Sequence, residues 1–406
     1  MRAYAVVLVV AAAGTWSLTF VVRRAAVRLR LVVQPADRRV HELATPTAGG
    51  AAMFVAFLLA MGVAWRMHEF REVFRGSSAP LAVVLGASII FAVGLSDDMR
   101  EMSAPAKLSG QVLAGSVLAL LGVSMFFFRI PFAGIVALSP DLQPLFTVLW
   151  VAGMANAVNL IDGLDGLAAG IVAIAAAGFF LYGDRLFRAG SIGPENVGVL
   201  LAVITCGLCL GFLPHNFHPA RIFMGDAGAM LLGLLMAAST LSVVGQTDVE
   251  FTGKTYFFFA PIFIPFFILG VPMLDTAFAI LRRAAGRSGL ANADKEHLHH
   301  RLMRLGHGHR RSVLILWAWT VLLSGMVLYP AFTSRGNAVM PFAVAGLGVA
   351  LYTLFHPELR RTAAAEAARA GRAEAAGGPV PAEGPTAEGP TADVIVLDRR
   401  KRSGGA

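Results

Sequence analysis

Residues 197–213, VGVLLAVITCGLCLGFL, and 227–245, AGAMLLGLLMAASTLSVVG, contain no charged side chain. Uncharged apolar runs of about 18 residues or more match the hydrocarbon thickness of a bilayer. A large soluble α/β enzyme with buried strands has shorter apolar runs, bounded by turn residues. Composition agrees: 56% of the 406 residues are hydrophobic, 15% are charged, and mean hydropathy is +0.68. A soluble domain of this length needs more polar surface. Working outward from the two runs, eleven apolar segments can be drawn: 3–22, 47–65, 79–96, 107–127, 145–160, 167–183, 197–214, 223–245, 255–281, 312–332 and 339–356. The first ends on Arg23 and Arg24, too long and charged at the wrong end for a cleavable signal. The expected fold is all-α and polytopic, with about eleven transmembrane helices in a domain spanning 1–360. Residues 361–406 read as a disordered cytoplasmic tail, because AEGPT recurs in tandem over 382–391 and apolar residues are too few to bury a core.

The net charge of +9 and pI near 10.2 do not call for a nucleic-acid partner, since the basic residues sit in short loops between apolar runs. The loops at 23–46, 97–107, 161–166, 215–222 and 282–311 carry 17 Lys and Arg; the alternate set, with the N-terminus, carries 9. The positive-inside bias then places the first set in the cytoplasm, the N-terminus outside and the C-terminus inside. Cys206 and Cys209 form a CxxC spacing within an apolar span, where small lipid-buried side chains are expected rather than a redox or zinc site.

Each concentrated polar motif falls in the first loop set, although only Lys and Arg were counted to define it. Asp97 and Asp98 close the third segment, with Lys107 beyond them. Acidic groups near a membrane want a cation, a proton or a basic partner; the plainer alternative is an interfacial turn with Lys107 as counter-ion. NAVNLIDGLDGLAAG places Asn156, Asn159, Asp162 and Asp165 beside Gly163 and Gly166, an oxygen-rich, glycine-rich set suited to a hard divalent cation and an anion, or to a capped turn. In HNFHPARIFMGDAGAMLLG, Asp226 opens an uncharged run and could serve as its N-cap, as a metal ligand, or as both. KEHLHHRLMRLGHGHRR holds His297, His299, His300, His307 and His309 among Lys295, Arg301, Arg304, Arg310 and Arg311. Its basic residues would repel zinc and attract phosphate, with His307 and His309 expendable; the plainer alternative is a solvated loop. Together these loops fit phosphoryl transfer on a lipid-borne substrate.

The motifs resemble those of the polyprenyl-phosphate N-acetylhexosamine-1-phosphate transferases over residues 45–330. The match runs through Asp97-Asp98 with Lys107, NAVNLIDGLDGL, RIFMGDAGAMLLG, GVPMLDTAFAILRR and HLHHRL. GVPMLDT (270–276) with HLHHRL (297–302) is similar to the branch that initiates teichoic acid, O-antigen and related glycans; Leu298 interrupts the three consecutive histidines of the peptidoglycan branch. Glu101 stands where the usual DDxxD form has its third acidic residue, a glutamate in place of the aspartate. The resemblance implies a bacterial inner-membrane enzyme that converts a UDP-N-acetylhexosamine, expected to be UDP-GlcNAc, and undecaprenyl phosphate into undecaprenyl-diphospho-sugar and UMP. It implies magnesium, with manganese as a substitute, held by Asp226 and Asn159. Asp97 and Asp98 would lie beside the lipid phosphate, Asp97 as base or positioning group. Lys107, His299, His300 and Arg301 would hold the diphosphate, and Asn156, Asp162 and Asp165 would shape the nucleotide and sugar pocket. A homodimer is left open as the assembly. The rivals are a phospho-MurNAc-pentapeptide transferase and a secondary transporter for an anionic metabolite. Only Asp275, late in the ninth segment, favours a transporter, whose ionisable groups would lie near the midplane.

Overall fold

The computed structural model describes residues 1–29, 32–33, 45–130, 134–243, 245, 308–333 and 339–355. Among them the chain is helical apart from two short antiparallel hairpins. One pairs β1 (Val32–Val33) with β2 (Thr45–Pro46); the other pairs β3 (Phe127–Ile130) with β4 (Gly134–Ala137), with Phe127 opposite Ala137. The helices are α1 (Arg2–Arg28), α2 (Gly49–Arg66), α3 (Arg71–Arg75), α4 (Ala79–Met99), α5 (Ala104–Leu120), α6 (Leu142–Ile161), α7 (Leu167–Arg188), α8 (Gly198–Asn216), α9 (Gly225–Val243), α10 (His309–Thr333) and α11 (Val339–Phe355). Seven of these, α1, α2, α4 and α6 to α9, are long and apolar enough to cross a membrane. The expected count of eleven therefore stands at seven among the described residues, and the segment 255–281 lies outside them, as do Asp275 and the tail.

Two differences from the apolar pattern have local causes. The first helix does not stop at Val22, because RRAAVR is itself a good helix former and carries α1 on to Arg28. The fourth segment, drawn to 127, ends as a helix at Leu120. Gly122 takes a φ of +93°, the Gly122 amide donates to the Ala119 carbonyl (3.3 Å) and the Val123 amide to Leu118 (2.9 Å). That is a Schellman stop, and the apolar residues beyond it enter the β3–β4 hairpin.

The core is organised around α9. Its membrane-length window is 94% buried, against 22% for α1 at the rim, and it packs against α2, α4, α6 and α8. Small residues permit this crowding: a side chain at Gly94 of α4 would collide with Ala227, and one at Gly233 of α9 would collide with Ala155 of α6. Helix α5 lies between α4 and α6, while α1 covers α2 and α8 through a stripe of Val7, Ala11, Thr15 and Thr19. The stripe's two threonine hydroxyls donate to carbonyls four residues back, at 2.8 and 2.6 Å, so neither is left polar in an apolar contact. Cys206 and Cys209 are free and buried in α8.

Candidate active site

Alternating helix directions bring the C-terminal ends of α4, α6 and α8 to the same place as the N-terminal ends of α5, α7 and α9. Asp97 and Asp98 occupy the last turn of α4. Lys107 sits in the first turn of α5, whose start is set by Pro105. The Lys107 ammonium donates to Asp97 Oδ2 at 2.8 Å and also to Asp226 Oδ2. Asp97 Oδ1 accepts from the Met102 amide at 2.8 Å, which fixes the α4–α5 turn. From α6, the Asn159 carboxamide reaches the same Asp226 oxygen at 3.3 Å. Four helices thus place Asp97, Lys107, Asn159 and Asp226 within one set of contacts.

Asp98 makes different contacts from its sequence neighbour. Its two oxygens accept from the amides of Asp226 (2.8 Å) and Ala227 (3.1 Å), so it caps α9 from the end of α4. This revises the N-cap alternative for Asp226: the cap comes from Asp98, 128 residues away, and the Asp226 carboxylate is directed to Lys107 and Asn159. Gly225, with a φ of +70°, makes the arrangement possible, because a side chain there would strike the Asp98 carboxylate.

The set suits a hard divalent cation on two observations. The Lys107 ammonium already occupies a cation position between two carboxylates. A half-turn of the Asn159 carboxamide, whose oxygen and nitrogen are distinguished only by their contacts, would present a second oxygen beside Asp226.

Asp162 and Asp165 stand beyond the end of α6. Loss of hydration holds the Asp162 carboxyl well above its ordinary range, and Asp226, Asp98 and Asp165 add to the shift, so negative charge is crowded at this end of the bundle. Because the folded value is the higher one, the native state retains a proton that the unfolded chain loses. Stability contributed by that proton is present below about pH 4, the unfolded value, and is lost as pH rises toward the raised folded one. In chelator-treated protein, Asp162→Asn is expected to raise the melting temperature by a margin that widens with pH above about 4. A margin that is constant or narrows on thermal unfolding at several pH values would contradict this.

Asp165 is 4% exposed and forms a separate group. Its Oδ2 accepts from His218 Nδ1 at 2.7 Å and from the Ala220 amide at 3.0 Å; His309, at the start of α10, has Nε2 4.0 Å away. The two imidazoles stack with centroids 4.2 Å apart and planes 19° from parallel. His309, one of the two histidines expected to be expendable, thus packs on His218 at the start of α10. These three side chains are one set of donors near enough together for a metal, with ligand atoms within 4.8 Å of one another. Face-to-face rings do not aim their nitrogens at a common point, however, and a hydrogen-bonded stack accounts for the contacts.

Sequence reading passed over three residues here. Asn216 accepts from the Gly166 amide (3.0 Å) and donates to the Ile222 carbonyl (3.1 Å), pinning the DGLDG loop to the loop before α9. His218 lies in the quoted HNFHP motif, where its position in a polar loop between apolar runs was the available signal. Gln111 carried no local signal. Asn156, expected in the nucleotide and sugar pocket, has its carboxamide bonded to Gln111 and to the Ala152 carbonyl. His299, His300 and Arg301 lie outside the described residues.

With this geometry in view, the comparisons with known proteins are specific. The model of glycosyl transferase family 4 matches residues 80–244, from α4 through α9. A decaprenyl-phosphate N-acetylglucosaminephosphotransferase of Mycolicibacterium smegmatis is 38% identical over 371 residues, covering 89% of this chain and 90% of the relative. The chain belongs to this family. A Bacillus subtilis relative in the family, named as a probable undecaprenyl-phosphate N-acetylglucosaminyl 1-phosphate transferase, is 39% identical, covering 74% of this chain and 77% of its own. A phospho-N-acetylmuramoyl-pentapeptide-transferase of Desulforudis audaxviator is 32% identical over 71% and 84%. The family match begins one residue into α4 and ends one residue after α9, so it contains Asp97, Asp98, Lys107, Asn159 and Asp226.

Proposed function

We propose that the chain transfers GlcNAc-1-phosphate from UDP-GlcNAc to a polyprenyl phosphate, yielding polyprenyl-diphospho-GlcNAc and UMP. The observation that carries this reading is the convergence of Lys107, Asp97, Asn159 and Asp226 at one end of a membrane-spanning bundle. The family relatives named for N-acetylglucosamine phosphate transfer support the transferred group and the acceptor. An oxygen of the lipid phosphate attacks the phosphorus that bears the sugar; the bridging P–O bond breaks, and UMP leaves with the electron pair. A lipid phosphate is largely ionised at neutral pH, so Asp97 works by orienting Lys107 and the incoming phosphate rather than by removing a proton. Lys107 meets the diphosphate charge, Asp98 holds the start of α9, and the Asp165–His218 pair with Asn216 shapes the nucleotide side. Magnesium, held by Asp226 and Asn159, would neutralise diphosphate oxygens; manganese is the expected substitute. His299, His300 and Arg301 are proposed to hold the diphosphate.

The donor is tested by supplying purified protein and polyprenyl phosphate with UDP-GlcNAc or UDP-MurNAc-pentapeptide and measuring UMP. Release with the first donor is expected. Release with the pentapeptide donor alone would assign the chain to the peptidoglycan reaction.

The site face is proposed to be cytoplasmic in a bacterial inner membrane, on the charge bias of the loops. Exposed Glu101 lies at that face, after α4, and exposed Ser139 lies at the other, before α6. In intact cells an impermeant thiol reagent is expected to label Ser139→Cys and spare Glu101→Cys. The reverse pattern would invert the topology.

A further inference from the structure

One turn inside the membrane from the reacting groups, the three helices that carry them meet a second time. On α5, Gln111 follows Lys107 by one turn; on α6, Asn156 precedes Asn159 by one turn; on α9, Met230 follows Asp226 by one turn. Gln111 touches both of the other deeper residues. Gln111 Nε2 donates to Asn156 Oδ1 at 3.1 Å and contacts Met230 Sδ at 3.4 Å, while Asn156 Nδ2 returns a bond to Gln111 Oε1 at 2.7 Å and another to the Ala152 carbonyl at 2.8 Å. Gln111 is 1% exposed and Met230 is fully buried.

Apolar packing at this depth would hold the helices together at less cost, because a buried carboxamide is unfavourable unless its donors and acceptor are met. What an apolar contact lacks is direction. Two carboxamides bonded reciprocally fix the relative depth and rotation of α5 and α6, and the sulfur contact refers both to α9. A rise of about 1.5 Å per residue puts this layer only about 5–6 Å below the site, so a small rotation of α5 or α6 would move Lys107 or Asn159 away from Asp226.

We infer that Gln111 and Asn156 are positioning residues: a carboxamide clasp, seated on Met230, that sets Lys107 and Asn159 against Asp226. This rests on the reading of Lys107, Asn159 and Asp226 as the working site, and it moves Asn156 from the substrate pocket to the support beneath it.

The test exchanges the pair. Gln111→Asn and Asn156→Gln each alter the reach of one partner by a methylene and keep its polarity; the double variant restores the combined length. Each single variant is expected to lower kcat by about tenfold or more, and to weaken Mn²⁺ binding, read by electron paramagnetic resonance without substrates, by a similar factor. KM for the donor should stay within about twofold, and the melting temperature and detergent elution profile should stay near those of the wild type. The exchanged pair should recover both kcat and Mn²⁺ affinity. Wild-type values in either single variant, or no recovery in the exchanged pair whether or not it folds, would overturn the clasp. Should a single variant be lost from the membrane, the exchanged pair decides alone. Asp226→Asn measured alongside separates the two levels. If it binds Mn²⁺ as the wild type does, the site reading fails; if it loses Mn²⁺ while the clasp variants do not, only the clasp fails.

Discussion

Asp226→Asn is expected to lower turnover on the order of 10³-fold, raise the magnesium concentration needed for half-activity, and leave the folded protein intact. The separation of these effects follows from where the α9 cap comes from. Asp98 accepts both the Asp226 and Ala227 amides, so the backbone at residue 226 is held whatever side chain it carries. Asparagine keeps an oxygen for Lys107 and removes the charge. Capping in the opposite sense is tested by Asp98→Ala, which is expected to cost about 1–2 kcal/mol and to loosen α4 from α9 before chemistry is reached. Steady-state kinetics over a magnesium series, with melting curves for both variants, distinguish the roles. Near-normal kinetics in Asp226→Asn would remove it from the site.

Lys107→Met is expected to reduce kcat by about 10²–10³-fold. The ammonium lies between Asp97 and Asp226, and its loss leaves two carboxylates facing each other across a partly buried gap. Lys107→Arg preserves the charge but not the shape: a planar guanidinium does not fit a point between two carboxylates on different helices. Arginine is therefore expected to recover only part of the activity and to remain at least about tenfold below the wild type. Full activity in either variant, on kinetics under saturating donor and acceptor, would show that Lys107 serves only as a counter-ion for the turn.

The fold was legible where the signal was a run of side chains. Helices α8 and α9 could be drawn to within two residues because nothing in VGVLLAVITCGLCLGFL or AGAMLLGLLMAASTLSVVG interrupts the apolar pattern. It was less legible where backbone geometry decides the outcome. Gly122 stops α5 while apolar residues continue, and hydropathy does not register a left-handed glycine. Arg23 and Arg24 end the apolar run but do not end α1, since charge marks the membrane boundary and not the helix.

The site divides in the same way. Asp97, Lys107, Asn159 and Asp226 were visible because ionisable and amide groups are costly beside apolar spans and stand out there. Their partners were not. Asp98 was read with Asp97 because the two are adjacent in sequence, yet neighbouring residues on a helix point in directions about 100° apart, and Asp98 turns to α9. Gln111 reads as an ordinary polar residue in an apolar helix until Asn156, 45 residues on, is placed opposite. Long-range pairs of this kind depend on how helices cross, which no local pattern states.

The central claim is that a phosphorylated sugar, and not the sugar alone, passes to the lipid. UDP-GlcNAc labelled with ³²P at the phosphorus nearest the sugar, incubated with the purified protein, magnesium and polyprenyl phosphate, tests it directly. The label is predicted to enter the organic phase with the lipid while unlabelled UMP accumulates in the aqueous phase. Label retained in water as UDP, with sugar alone on the lipid, would contradict the account.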